Sequence, residues 1–205
     1  APRRAELREF GQAGIELIGL GGAEAISEVL TVLDQSLTSV GLERAVIGLG
    51  DAALWAGLLE DLEAPEGTVA STSPFLRRGD QVGLEAALGQ VDGLSEEAAS
   101  TALAIARMRG GAEVIGEARE LLGEKGDEAL GRIESALGAA LANDGGREVT
   151  VDLGMSRELG YYTGEILEVY DPSVGRVIGA GGRYDGLMKG FGMDLQAAGF
   201  SLYTE

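Results

Sequence analysis

The segment Ser156–Leu187, SRELGYYTGEILEVYDPSVGRVIGAGGRYDGL, decides the fold. Within it, TGEILEVY and GRVIGAGG read as two strands joined by the turn DPSVG, because apolar and β-branched runs are bounded there by Pro, Gly, Asp and Ser. The segment also carries four of the chain's five tyrosines, Tyr161, Tyr162, Tyr170 and Tyr184. In a chain with only 5% aromatic residues this concentration calls for a reason.

Reading outward, REVTVDLG alternates Val149, Val151 and Leu153 with polar residues, the pattern of a strand with one buried face. RYDGLMKGFG leaves the hairpin as a short helix or turn, and LQAAGFSLYTE returns as a further strand. Near the N-terminus, GQAGIELIG reads as a strand. Ile26, Val29, Leu30, Leu33, Leu37 and Val40 then recur at helical spacing, and Gly41 stands where a C-terminal cap belongs. ERAVIGLGD is a short buried strand, followed by an amphipathic helix from about residue 51 to 62. The stretch between differs in character. APEGTVASTSP reads as a turn-rich loop. LSEEAASTALAIARMRGG reads as a helix with Ser95 as N-cap, Glu96 and Glu97 in its first turn, Arg107 and Arg109 in its last, and Gly110 as its stop. GAEVIGEARELLG and DEALGRIESALGAALAND are helical as well. The expected class is α+β, with a sheet built from residues 1–63 and 147–205 and a helical insertion at 64–146.

The 205 residues are 45% hydrophobic and 24% charged, the composition of a folded globular chain. A formal net charge of -18 argues against nucleic acid as a partner, since phosphate-backbone affinity comes from Lys and Arg. The chain has no cysteine and no histidine, which excludes disulfides and thiolate or imidazole metal sites and removes the commonest general base. No apolar run reaches membrane-spanning length, and a cytoplasmic setting is expected. Glu96 and Glu97 read as a dipole-favoured first turn, not as metal ligands. Trp55 reads as core, and Arg77 and Arg78 as solvated. The missing initiator methionine and the apolar strand at the C-terminus read as the cut ends of a longer protein.

Four blocks, REFGQAGIELIG, RELGYYTGEILEVY, GAGGRYDGL and AAGFSLYTE, resemble in order and spacing the catalytic domain of class II histidyl-tRNA synthetases and their non-aminoacylating paralogue, the regulatory subunit of ATP phosphoribosyltransferase. The resemblance covers about residues 1–62 and 147–205. It implies a class II synthetase-like antiparallel sheet flanked by helices. It further implies a histidine pocket in which Gln12 meets the α-amino group, Glu16 accepts from the imidazole, Arg157 lies near the carboxylate, and Tyr161 and Tyr162 close over the ring. Arg8, Arg183 and Tyr184 are second-rank candidates. Such a pocket explains the tyrosines, because a small planar ligand suits flat walls with directional hydroxyls.

The chain departs from the family pattern at Glu158, where glycine is usual, at Gly160, where aspartate is usual, and at Tyr203, where a glycine would leave room for a nucleotide. The family's ATP-clamping arginines and its first motif fall outside the chain. The regulatory subunit is the favoured reading, because QAGIELIG and VIGLGD resemble that paralogue more than the synthetase, the ligand loop departs at Glu158 and Gly160, and the acidic surface does not suit tRNA. It implies no catalytic residue, cofactor or metal, and as partners free histidine and a short-form ATP phosphoribosyltransferase catalytic subunit, with a homodimer inside a hetero-oligomer. A synthetase fragment that activates histidine with ATP for transfer to tRNA is the alternative. From the residues alone, Tyr161 and Tyr162 also suit strand packing, Gln12 an edge strand, and Glu16 a solvent-facing position.

Overall fold

A computed structural model describes residues 10–143, 146–157 and 160–204. Arg8 and Glu158 therefore lie outside the described residues. The chain runs β1 (Gln12–Ile18), α1 (Gly22–Ser39), β2 (Val46–Asp51), α2 (Leu54–Asp61), α3 (Thr68–Arg77), α4 (Gln81–Leu88), α5 (Glu96–Arg107) and β3 (Arg109–Gly110). It continues through α6 (Glu113–Arg119), α7 (Glu124–Leu141), β4 (Val149–Asp152), β5 (Glu165–Asp171), β6 (Arg176–Arg183), α8 (Asp185–Lys189) and β7 (Ala197–Tyr203). The strands form one sheet in the order β1-β7-β6-β5-β2-β4-β3. Every pairing is antiparallel except β2 with β4. The expected α+β class and antiparallel character hold.

The register sorts the side chains onto two faces, since strand residues alternate. One row crosses the sheet as Ile15, Phe200, Gly181, Leu167, Leu49 and Val151. It faces α1 and α7, whose Ile26, Leu30, Leu33, Leu130 and Ile133 are almost wholly buried. The neighbouring rows, Gly14–Ser201–Ala180–Glu168–Gly48–Thr150 and Glu16–Gly199–Gly182–Ile166–Gly50, point to the other face. Gly14, Gly48, Gly50, Gly182 and Gly199 leave parts of that second face at backbone level.

Two expectations for the central stretch are corrected. Thr68–Arg77 is a helix, not a loop, although it contains Pro74. Thr72 is buried and accepts a 3.0 Å hydrogen bond from the Trp55 indole, while its own hydroxyl donates to the Thr68 carbonyl. Packing against α2 thus overrides the local turn signals. Arg109 is not in the last turn of α5, which ends at Arg107; it lies in β3, where it pairs with Asp152. The Ser95 cap is present, its hydroxyl accepting from the Ala98 N–H. Of the 64–146 stretch, α7 packs on α1 and α2, and β3 joins the sheet.

Two ion pairs, each with a buried carboxylate, help hold the helices to the sheet. The Arg147 side chain is only 4% exposed; it donates to Asp34 at 2.7 Å and to the Leu42 and Ala45 carbonyls at 2.6 and 3.1 Å. Asp51, at the end of β2, accepts a two-point bond from Arg132 of α7 at 2.7 and 2.9 Å and the Ala53 N–H at 2.9 Å. Burial raises the Asp51 pKa despite this pairing, because its carboxylate is fully desolvated while Arg132 stays about one-third exposed.

Replacing Arg147 by Met is expected to destabilise the fold by about 3–5 kcal/mol, because Asp34 and two carbonyls lose their donor together. Urea unfolding measures it. Arg132→Leu is expected to cost about 3 kcal/mol at neutral pH, the low end of the range for a half-buried partner. The loss should shrink as pH falls. A carboxyl whose folded pKa lies above its unfolded value favours the fold once protonated, and a neutral Asp51 needs no counter-charge. Urea midpoints of both proteins across mildly acid pH check the sign.

Candidate functional site

The second face carries a cluster of charged and phenolic groups. Tyr184 sits at the end of β6, in phase with Gly182, and its hydroxyl donates to the Glu16 carboxylate from β1. Tyr161 and Tyr162 come from the turn before β5. Their ring centres are 4.6 Å apart, and Tyr161 meets Tyr184 edge-on at 5.7 Å with an 86° interplanar angle. Tyr162 lies 6.5 Å from Tyr184. Burial raises the pKa of both Tyr162 and Tyr184, and the hydrogen bonds to Tyr161 and Glu16 add to it, so both phenols stay protonated donors at neutral pH. Glu16 is also felt at Tyr162, and Arg157 pulls its pKa the other way.

Arg157 donates to Glu168, which stands on the same face one row from Gly182. Met155 lies over Gly48 and Gly50, whose added Cβ atoms would come within 3.0 and 2.8 Å of it. Gly182 has φ of 149°, and a Cβ there would stand 3.0 Å from the Tyr162 ring as well as against the Glu165 carbonyl. A Cβ on Gly199 would overlap the Glu16 carboxylate. The glycines therefore form a floor on which acid and phenols rest.

The sequence candidates divide. Glu16, Tyr161, Tyr162, Tyr184 and Arg157 converge. Gln12 shares the face, but it donates to Ser201 at 3.1 Å and lies four residues from Glu16, about 13 Å along the strand. Arg183 is on the opposite face. It is buried against Glu165 at 2.7 Å and donates to the Gly22 carbonyl, so it ties β5 and β6 to the start of α1. Tyr203 packs edge-on against Phe10 at 5.7 Å, at the end of β1 beside Gln12. Two features went unread in the sequence, the Arg157–Glu168 pair and the glycine floor. The parity of Glu168 within EILEVY, opposite to Leu167 and Val169, was the available signal. Among the described residues no cluster of metal-ligating side chains occurs, and no helix is long and apolar enough to cross a membrane.

A seven-stranded, mainly antiparallel sheet backed by helices, with an acid and phenols on its free face, is the class II aminoacyl-tRNA synthetase type of fold. A family model described as histidyl-tRNA synthetase matches residues 1–205, and the chain belongs to that family. It is 39% identical over 208 residues to the ATP phosphoribosyltransferase regulatory subunit of Moorella thermoacetica, an alignment that takes in 100% of this chain and 52% of that protein. A crystal structure described as an ATP phosphoribosyltransferase regulatory subunit/histidyl-tRNA synthetase from Bacillus halodurans superposes with a TM-score of 0.87 at 31% identity, over 95% of this chain and 51% of that one. The ATP phosphoribosyl transferase (HisG:HisZ) complex from Thermotoga maritima shares the fold, with a TM-score of 0.76 at 20% identity, over 95% of this chain and 66% of that one. The chain thus spans about half the length of the curated relatives it matches.

Substituting Gly199 by Ala is expected to drive the Glu16 carboxylate off Tyr184 and to destabilise the fold by about 1–3 kcal/mol through overpacking against β1. Thermal unfolding followed by circular dichroism reads the stability. The tyrosine near-ultraviolet signal reads the displacement.

Proposed function

We propose that the chain is the histidine-binding part of a regulatory, non-aminoacylating subunit of ATP phosphoribosyltransferase. The cluster of Glu16 with three tyrosines is the observation that carries this reading. Glu16 is an acceptor suited to an imidazole N–H, and Tyr184 already shows how a donor approaches it. Tyr161 and Tyr162 supply flat walls on an apolar floor. Arg157 can hold a ligand carboxylate through a bidentate fork if it exchanges Glu168 for the ligand. Gln12 would contact the α-amino group only if strand β1 or the ligand reached along the sheet, so it is the least supported member. Relatives bearing the regulatory-subunit name at 34–39% identity support the choice over an active synthetase. So does Gly160 in place of the family's aspartate.

On this reading the partner is a short-form catalytic subunit, bound by a homodimer of the regulatory chain. Histidine regulates it by binding one state of the assembly more tightly than another, since a ligand shifts an equilibrium only by its differential affinity. The phenols and the sheet floor are the parts a bound ring would reorder.

Titration calorimetry of the full-length protein is expected to show histidine binding, weakened about tenfold or more by Glu16→Gln, the worth of one hydrogen bond to a charged group. Unchanged affinity in that variant removes Glu16 from the pocket. The full-length protein is expected to stimulate a short-form phosphoribosyltransferase and to give no histidine-dependent ATP–pyrophosphate exchange; exchange without stimulation establishes the synthetase reading instead.

A further inference from the structure

A second cleft lies at the other end of the same face. It has a volume of about 550 Å³ and is walled by the α3–α4 connection, the end of α5, β3 and the β4–β5 loop. Four arginines line it: Arg77, Arg78, Arg107 and Arg109. They belong to two short sequence runs, LRRGDQ and ARMRGG, about thirty residues apart, and the fold brings these face to face.

This convergence needs a cause. The chain holds 16 basic residues against 34 acidic ones, so scattered arginines would find carboxylates easily. Placing four guanidiniums around one cavity instead sets like charges against each other, which destabilises the empty cleft. Arg107 is bound to Glu85 at 3.0 Å and Arg109 to Asp152. Among the described residues neither Arg77 nor Arg78 is paired with a carboxylate; Arg78 lies 5.1 Å from the Phe75 ring centre, and both side chains are exposed. Among the described residues the carboxylates lining the cleft are Asp152 and Glu168, already engaged by Arg109 and Arg157. With Arg107, Arg109 and Arg157 matched by Glu85, Asp152 and Glu168, Arg77 and Arg78 leave two positive charges in excess among the described residues.

We propose that this cleft binds a small phosphorylated molecule through Arg77 and Arg78, with Arg107 and Arg109 behind them. A phosphoryl group brings about two negative charges at neutral pH and three acceptor oxygens, which matches the excess. Planar guanidinium forks bind such oxygens two at a time. A single carboxylate would neutralise only half of it. The cavity is the size of a small-molecule site, within the usual range of about 300–1,000 Å³. The cleft is separate from the Glu16 cluster, which lies across the sheet on β1 and β6. The two communicate through Glu168, which lines the cleft and holds Arg157. A ligand anion beside Arg109 and Glu168 therefore acts on the arginine that the first site would use. The proposal does not depend on histidine being that site's ligand.

Calorimetric titration of the full-length protein with inorganic pyrophosphate, at fixed ionic strength and without divalent cations, tests this. Saturable binding is expected, weakened about tenfold or more in Arg77→Gln/Arg78→Gln, the loss of at least one charged bond. Both positions are exposed, and an unchanged thermal midpoint certifies that the variant is folded. Binding should persist in Glu16→Gln, which separates this cleft from the tyrosine cluster. Absence of saturable binding at millimolar pyrophosphate overturns the proposal. So does equal affinity in the double variant, or tighter binding of a short poly-glutamate peptide than of pyrophosphate, which would make the cleft a docking point for an acidic chain.

Discussion

Glu16 can lie against the sheet only because Gly199 beside it has no side chain. The same constraint repeats at Gly182 beneath Tyr162 and at Gly48 and Gly50 beneath Met155. An antiparallel sheet normally covers one face with a core and fills the other with polar side chains. Here glycines leave parts of the second face at backbone level, and neighbouring side chains lie over them. Acid, phenols and arginine come from three separate parts of the chain: β1, the β4–β5 loop and the end of β6. Arg157 and the two tyrosines are neighbours in sequence, whereas Glu16 and Tyr184 are brought to them by the fold.

The two faces divide the electrostatic labour. Beneath the sheet, Asp51, Glu165, Arg183, Asp34 and Arg147 have buried side chains, each is matched, Asp51 by the one-third-exposed Arg132, and they fasten α1 and α7 to the strands. Above it, the charges are partly exposed and exchangeable. Arg157 and Glu168 are each 20–25% exposed, close enough to water for a ligand to replace either partner. Buried pairs of the first kind resist exchange because separating them strands a charge in low dielectric. Partly exposed pairs of the second kind are traded at a smaller cost.

Much of this was legible in the sequence, and the exceptions have physical reasons. Period-2 alternation in REVTVDLG and the apolar residues between glycines in GQAGIELIG located strands correctly. The helix at Thr68–Arg77 was hidden because its Ser, Thr and Pro content reads as turn, while tertiary contacts hold it: Thr72 accepts from the Trp55 indole and Leu76 is buried in the core. Arg183 and Tyr184 are adjacent in sequence, but the pleat sends them to opposite faces, so proximity to one block could not decide both. Gln12 fell on the right face and too far along it. Glu16 and the tyrosines met because β1 pairs with β7 and β7 with β6, a register that no single block encodes. Arg77 and Arg78 read as solvated individually; only the fold places Arg107 and Arg109 opposite them.

The parallel pairing of β2 with β4 has a consequence for how the chain can change over time. Two neighbouring strands are joined by nearly a hundred residues that leave the sheet and return to an adjacent position. Closing such an excursion becomes only about 0.6 kcal/mol harder for each doubling of its length. Residues can therefore be gained or shed at the tips of the intervening helices with little effect on the strands they bridge. Lineages sharing this sheet are free to diverge in the bulk carried between its second and fourth strands.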